Sequence, residues 1–245
     1  MNCNNCATEF EGNFCPNCGQ RPNSGRIVFR ESVRDVLEHY FDFDAPLFRT
    51  VTGLVTRPGI LIKEYIRGRR RSYSHPIRYY VLVLAIYLIV QNVIDFDPIK
   101  AVGEIMGVNQ QPNPDSPQTK GSYFFRNNIN LLLIFYTFFL AVFNKLFFRK
   151  SGFYFVEFLA LGFYIVAQYI FFTAFIILGV TISPYIFVLN YILVLIYPVY
   201  VMFKFHEGKW YWRITKAFFV NLFAWILYVV AGQFVSVFIV IAFDL

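Results

Sequence analysis

Thr56-Arg57-Pro58-Gly59-Ile60-Leu61-Ile62-Lys63-Glu64-Tyr65-Ile66-Arg67-Gly68-Arg69-Arg70-Arg71-Ser72-Tyr73-Ser74-His75-Pro76 is the stretch at which this chain changes solvent. Upstream of it stands a small polar head that carries all four cysteines; downstream the chain is apolar almost to its last residue. Within the stretch, Pro58-Gly59 stops any helix arriving from upstream. A short helix is expected to start near Pro58 with Thr56 as its cap, and to run through Ile60, Leu61, Ile62, Tyr65 and Ile66. Gly68 then supplies the left-handed residue that ends it. Three arginines follow, and Pro76 opens the next apolar run.

The cations of this hinge admit two readings. Arg57, Lys63, Arg67, Arg69, Arg70, Arg71 and Arg78 could grip anionic lipid headgroups or another anionic ligand, at about 1 kcal/mol per cation near an anionic leaflet. The plainer reading, which we prefer, is that they snorkel and fix topology. His75 reads as a loop residue rather than as a ligand or base.

Downstream, five apolar stretches (77–94, 129–148, 156–179, 185–203 and 217–242) approach or exceed the ~20 residues a helix needs to cross a bilayer. Composition agrees: 57% of residues are hydrophobic and 15% charged, against ~45–50% and ~25% in soluble domains. The charges between the stretches alternate. The hinge, Lys145/Arg149/Lys150 and Lys204/Lys209/Arg213/Lys216 would share one side. The other side has only Lys100, Lys120 and Arg126 in one long loop. That is the positive-inside pattern of five crossings, with the N-terminus cytoplasmic and the C-terminus outside. Residues 1–26 lack an apolar targeting core, which also leaves the head in the cytoplasm. The same pattern accounts for the net charge of +7, so no nucleic acid is expected as a partner.

In the head, Cys3-x-x-Cys6 and Cys15-x-x-Cys18 are two knuckles that together make a tetrahedral thiolate site suited to a structural Zn²⁺. Iron in a rubredoxin-like site and a dithiol redox role are the alternatives. Cys15-Pro16-Asn17-Cys18-Gly19 is well formed, because Gly19 can take the positive φ that follows the second ligand. The first knuckle has Ala7 at that position. A short ribbon with a tight hairpin turn at Gly12-Asn13 is expected between the pairs. So small a segment cannot bury a core, and metal would supply most of its folding free energy. Between head and hinge, Arg26 to Phe41 has helical periodicity and reads as an amphipathic interfacial helix. Asp44 is a plausible cap for a further helix carrying Leu47, Phe48, Val51, Leu54 and Val55.

The order of a double-Cys head ending Cys15-Pro16-Asn17-Cys18-Gly19-Gln20, then Phe41-Asp42-Phe43-Asp44, Arg57-Pro58-Gly59, Tyr65-x-x-Gly68-Arg69-Arg70, Tyr73 and Pro76 resembles a bacterial family of uncharacterised zinc-ribbon multi-pass membrane proteins. The resemblance covers roughly residues 1–95 by motif. It implies fold and membrane location, and it carries no activity across.

The expected architecture is therefore an all-α polytopic membrane protein of about five transmembrane helices, with a short N-terminal four-cysteine zinc ribbon (1–25), an interfacial amphipathic segment (26–76) and a membrane domain (77–245) in a bacterial inner membrane. The loop near 95–128 is polar and proline-rich at 110–117, and no packed structure is expected there. No ionisable residue falls near a span centre, unlike pumps and proton-coupled carriers. Gln91, Asn130, Asn144, Gln168, Asn190, Asn221 and Gln233 are the neutral polar groups of the spans. Gln168 and Asn190 lie nearest mid-membrane, and interhelical hydrogen bonding is the favoured reading over a substrate path. Glu157 is expected to pair with Arg149 or Lys150. No nucleophile–base pair, glycine-rich phosphate loop or open metal site points to an enzyme. Two functions remain: a membrane-anchored scaffold or assembly factor that docks a protein partner, not identifiable from sequence, through the zinc ribbon; or a carrier or channel for a neutral or amphipathic solute.

Overall fold

The structure, a computed structural model, describes residues 1–20, 45–97 and 116–243, with residues 126–127 and 129–131 described in backbone only. The amphipathic stretch 26–41, the Asp44 cap and residues 110–115 lie outside the described residues. Among the described residues there is no β-strand. The helices are α1 (Ala45–Thr56), α2 (Pro58–Ile66), α3 (Pro76–Ile94), α4 (Pro117–Asn127), α5 (Ile129–Phe147), α6 (Phe155–Val180), α7 (Val188–Phe205) and α8 (Trp210–Phe243), with single 3₁₀ turns before α6 and α7.

Four of these elements are long and apolar enough to cross a membrane: α3, α6, α8, and α7 with the 3₁₀ turn that precedes it. A shorter apolar stretch, Leu132–Phe147, lies in α5. The chain thus has the build of a multi-pass membrane protein. At ~1.5 Å rise per residue, the 34 residues of α8 span about 51 Å. That exceeds a hydrocarbon core of ~30 Å, so α8 protrudes from it. One face of α8 exposes Phe223, Leu227, Phe234, Phe238 and Ile241, as a lipid-facing surface would.

α6 is the centre of the bundle. Phe158, Leu161, Tyr164, Ile165, Gln168, Ile170 and Ile177 are buried along it, and α3, α5 and α7 surround it. Gly162 lets α5 in: a Cβ there would lie 3.0 Å from the Thr137 carbonyl oxygen. The neutral polar groups join helices to one another. Tyr79 of α3 donates to the Gln168 amide oxygen at 2.5 Å, and Thr173 of α6 donates to Asn190 of α7 at 2.8 Å. Pro198, inside α7, has no N–H to offer the carbonyl four residues back. Asn221 of α8 replaces it, donating its Nδ2 to the Val194 carbonyl at 3.2 Å, while Tyr136 of α5 donates to its Oδ1. One amide thereby ties three helices together.

Three expectations are corrected. First, residues 117–127 are not an unpacked loop but helix α4. Ser116 caps it through Thr119 N–H at 3.2 Å, and Pro117 stands at its first position. α4 packs on α8, where Gln233 donates to Ser122 at 2.8 Å and Gly232 makes room for Phe125. Second, Thr56 does not cap α2. Its hydroxyl is engaged by the Thr52 carbonyl at 2.8 Å, and Arg57 is the cap residue without a side-chain bond. Third, Glu157 pairs with neither Arg149 nor Lys150 among the described residues. It is buried and accepts from the Tyr154 N–H at 2.7 Å, closing a capping box at the start of α6.

Candidate functional site: the thiol cluster and the arginine loop

The two Cys-x-x-Cys segments fold into near copies of one turn. Ala7 N–H donates to the Cys3 carbonyl at 2.9 Å and Gly19 N–H to that of Cys15 at 2.8 Å. Cys3 N–H is closed by Thr8 at 3.0 Å, and Cys15 N–H by Gln20 at 2.9 Å. The turn needs a left-handed residue after the second cysteine. Gly19 takes it at φ +68°, and Ala7 takes the same conformation at φ +60°. The expected hairpin across the pairs is absent. Among the described residues the head has one isolated antiparallel bridge, Asn2 to Glu9, which brackets the first turn rather than joining the two knuckles. Of the eight residues between Cys6 and Cys15, Thr8 to Phe10 pair back on Met1 to Cys3, which leaves too few to form a ladder with the second knuckle.

The four sulfurs converge. All lie within 4.8 Å of one another, and three pairs (Cys3–Cys18, Cys6–Cys15 and Cys6–Cys18) stand at 3.5 Å. A disulfide would need ~2.05 Å, whereas four thiolates at ~2.3 Å from one ion stand about 3.8 Å apart. The cluster therefore has the spacing of a tetrahedral metal site. Among the described residues, Cys3, Phe10 and Cys15 form its core, with Cys6 and Cys18 packed against it. The thiols are not equivalent. The Thr8 hydroxyl and amide draw Cys6 down to about 6, whereas burial pushes Cys18 up to about 12.

The head does not hang free. It is seated on the loop after α2. Gln20 donates its Nε2 to the Gly68 carbonyl at 2.7 Å, in a buried position, and its Oε1 accepts from Arg71 N–H at 3.3 Å. Asn5 Oδ1 accepts from both Ser72 N–H, at 3.1 Å, and Ser72 Oγ, at 2.7 Å. Arg71 lies over the second knuckle, its Nε bonded to the Cys18 carbonyl at 3.2 Å. A guanidinium in this position offsets the negative charge of a thiolate cluster.

The loop is itself held on the bundle. Gly68, at φ +109°, ends α2 in a Schellman motif: Arg69 N–H reaches Glu64 O at 3.0 Å, and Gly68 N–H reaches Tyr65 O at 3.1 Å. Glu64 pairs with Arg69 at 3.3 Å and accepts from Tyr73 at 2.5 Å, and burial with this carboxylate raises the Tyr73 pKa. Ser74 N–H donates to Thr50 at 2.8 Å, and Tyr164 of α6 donates to the Ser74 carbonyl at 2.6 Å. Underneath, α2 lies so close to the end of α7 that a Cβ on Gly59 would stand 2.3 Å from the backbone of Lys204. Lys63 adds an ion pair with Glu207 at 2.6 Å.

The hinge cations do not share one set of partners. Lys63, Arg69 and Arg71 are bonded to Glu207, Glu64 and Cys18. Arg57 and Arg67 are exposed, and Arg70 and Arg78 are half-buried. His75 caps α3 beside the Tyr65 ring. Burial, with Arg70 nearby, lowers it to about 4, so it is neutral at pH 7. Cations from three segments meet at one end of the bundle: Lys63 reaches Glu207 after α7, and Lys216 of α8 lies over Phe148 after α5. At the far end, Phe96 and Phe187 pack with their ring centroids 5.2 Å apart and their planes tilted by 55°.

Sequence reading missed Asn5, Gln20 and Ser72 as the clamp between head and loop. Gln20 was visible as the last residue of the knuckle motif, but nothing local announced what it binds. A family model described as "Protein of unknown function (DUF3667)" matches residues 44–88, which hold α1, α2, the arginine loop and the start of α3. Searches of curated proteins and of solved structures returned no match.

Proposed function

We propose that this chain is a membrane-anchored docking platform whose cytoplasmic face is a structural zinc ribbon locked onto the arginine loop. The observation that carries it is the clamp: Asn5 and Gln20 bond the backbone of Gly68, Arg71 and Ser72. Four sulfur donors fill a zinc coordination sphere, leave no position for substrate and suit a structural ion. Such a knuckle pair is too small for chemistry, but it is rigid once metal is bound. Its ion supplies folding free energy and no reaction step, while Asn5 and Gln20 orient the ribbon and Arg71 covers its second turn. By the positive-inside bias, the cationic end that carries the head faces the cytoplasm, in a bacterial inner membrane.

The carrier reading is weaker. Gln168, Asn190 and Asn221 bond across helices to Tyr79, Thr173 and Tyr136, which is how polar groups join spans. The test is to purify the protein from its native membrane with residues 1–20 intact or deleted, with zinc quantified in the same sample. The expected result is one zinc per chain and one stoichiometric companion protein, both lost on deletion while the bundle keeps its melting temperature. Solute flux in liposomes that survives the deletion, with no companion in either sample, would replace this reading with the carrier.

A further inference from the structure

The cationic end contains a cavity that neither the thiol cluster nor the arginine loop lines. It measures about 380 Å³ and is bounded by Phe148, Glu207, Gly208, Lys209, Trp212, Arg213 and Lys216. That volume is near the low end of the ~300–1,000 Å³ typical of small-ligand sites. Three of its side chains are cations. Its one carboxylate, Glu207, is neutralised by Lys63 at 2.6 Å, whose bond also lowers its pKa. Lys209 and Lys216 have no ion pair among the described residues.

The cavity is built rather than incidental. Arg213 is fixed by donation to the carbonyls of Phe203, at 3.2 Å, and His206, at 3.1 Å, and it lies 4.3 Å over the Phe203 ring. Its Nε is enclosed without a hydrogen-bond partner. Phe148 is held by stacking on His206 at 3.5 Å, and His206 bonds Asn144 at 2.9 Å. Trp210, Tyr211 and Trp212 are exposed beside it. Aromatic residues of this kind mark the headgroup level of a bilayer, and basic pockets between spans at that level suit phosphate headgroups.

We propose that this cavity binds the phosphate of an anionic phospholipid headgroup, with Lys209, Arg213 and Lys216 supplying the charge and Phe148 and Trp212 the apolar wall. A net-neutral headgroup brings a cation of its own, which this pocket repels. The site is independent of the docking reading, since it shares no residue with the zinc ribbon.

The full chain is reconstituted with equimolar phosphatidylglycerol and phosphatidylcholine, and the lipids retained after transfer to detergent are counted by native mass spectrometry. Phosphatidylglycerol is expected to be enriched roughly tenfold. Lys209→Gln with Lys216→Gln brings the ratio near parity. Lys209→Arg with Lys216→Arg keeps the enrichment, which separates loss of charge from loss of fold. Arg57→Gln, an exposed hinge cation that does not line the cavity, leaves it unchanged. Equal retention of both lipids by the unaltered chain, or an enrichment that survives the glutamine pair, overturns the proposal. Inorganic phosphate that displaces the lipid at millimolar concentration would make the free anion the ligand and overturn the lipid assignment. Indifference to it supports the headgroup.

Discussion

The head and the bundle are held together by opposite means. The bundle buries a continuous core along α6, from Phe158 to Ile177, and joins its polar side chains in pairs across helices. The head buries Cys3, Phe10 and Cys15 and little else. A core of three side chains cannot offset the entropy of ordering twenty residues, at ~1–2 kcal/mol each for the backbone alone. Four converging thiols can, once an ion is added. The contrast teaches that one chain can be stable in two separate ways, and that each way fails under a different insult.

The largest expected effect breaks the head alone. Cys15→Ser, or a strong chelator, removes a tetrahedral ligand set whose ion supplies ~10–16 kcal/mol in comparable zinc peptides. The head should become protease-sensitive while the bundle's melting temperature holds, as read by limited proteolysis beside circular dichroism. A fall in bundle stability of the same size would erase the distinction.

Next in size is Gly59→Ala, which leaves the head's ligands intact and strikes the base on which the loop rests. Its methyl would stand 2.3 Å from the Lys204 backbone, and backbone cannot rotate away as a side chain can. We expect a loss of about 3 kcal/mol, seen as a lower melting temperature in detergent, with the head's affinity for added metal unchanged.

Asn221→Leu should cost ~1–2 kcal/mol, because it leaves both the Val194 carbonyl and the Tyr136 hydroxyl without their partner. Chemical denaturation in mixed micelles measures it. A Pro198→Ala background should recover part of the loss by restoring the helix's own N–H to Val194.

The smallest effect is a gain. Ala7 holds φ +60° where Gly19 holds φ +68°, and a left-handed alanine is strained by ~1 kcal/mol relative to glycine. Ala7→Gly should therefore raise metal affinity severalfold in a chelator competition. No gain would mean that the two knuckles are less alike than their hydrogen bonds suggest.

Much of this design is legible in the chain. Length and hydropathy suffice for the apolar stretches, because a bilayer leaves a helix few other options. The thiol cluster is legible because ligand spacing is local. α4 is hidden because its composition is polar, although Ser116-Pro117 is the same start signal that Pro58 gives for α2. The Thr56 cap fails because a threonine hydroxyl in a last helical turn finds the carbonyl four residues back first. Asn5–Ser72 and Gln20–Gly68 join positions far apart along the chain, and Asn221 answers a proline in the preceding helix. No periodicity encodes such pairings; they arise only when the elements are assembled.

The claim at the centre is that the metal-held head grips the arginine loop, and backbone hydrogen exchange at three neighbouring amides tests it most directly. Arg71 N–H and Ser72 N–H are bonded to the head through Gln20 and Asn5, whereas Arg69 N–H is bonded to Glu64 within the hinge itself. Stripping the metal should expose Arg71 and Ser72 to exchange and leave Arg69 protected. If all three keep their protection after the metal is gone, or all three lack it while the metal is bound, the head does not grip the loop.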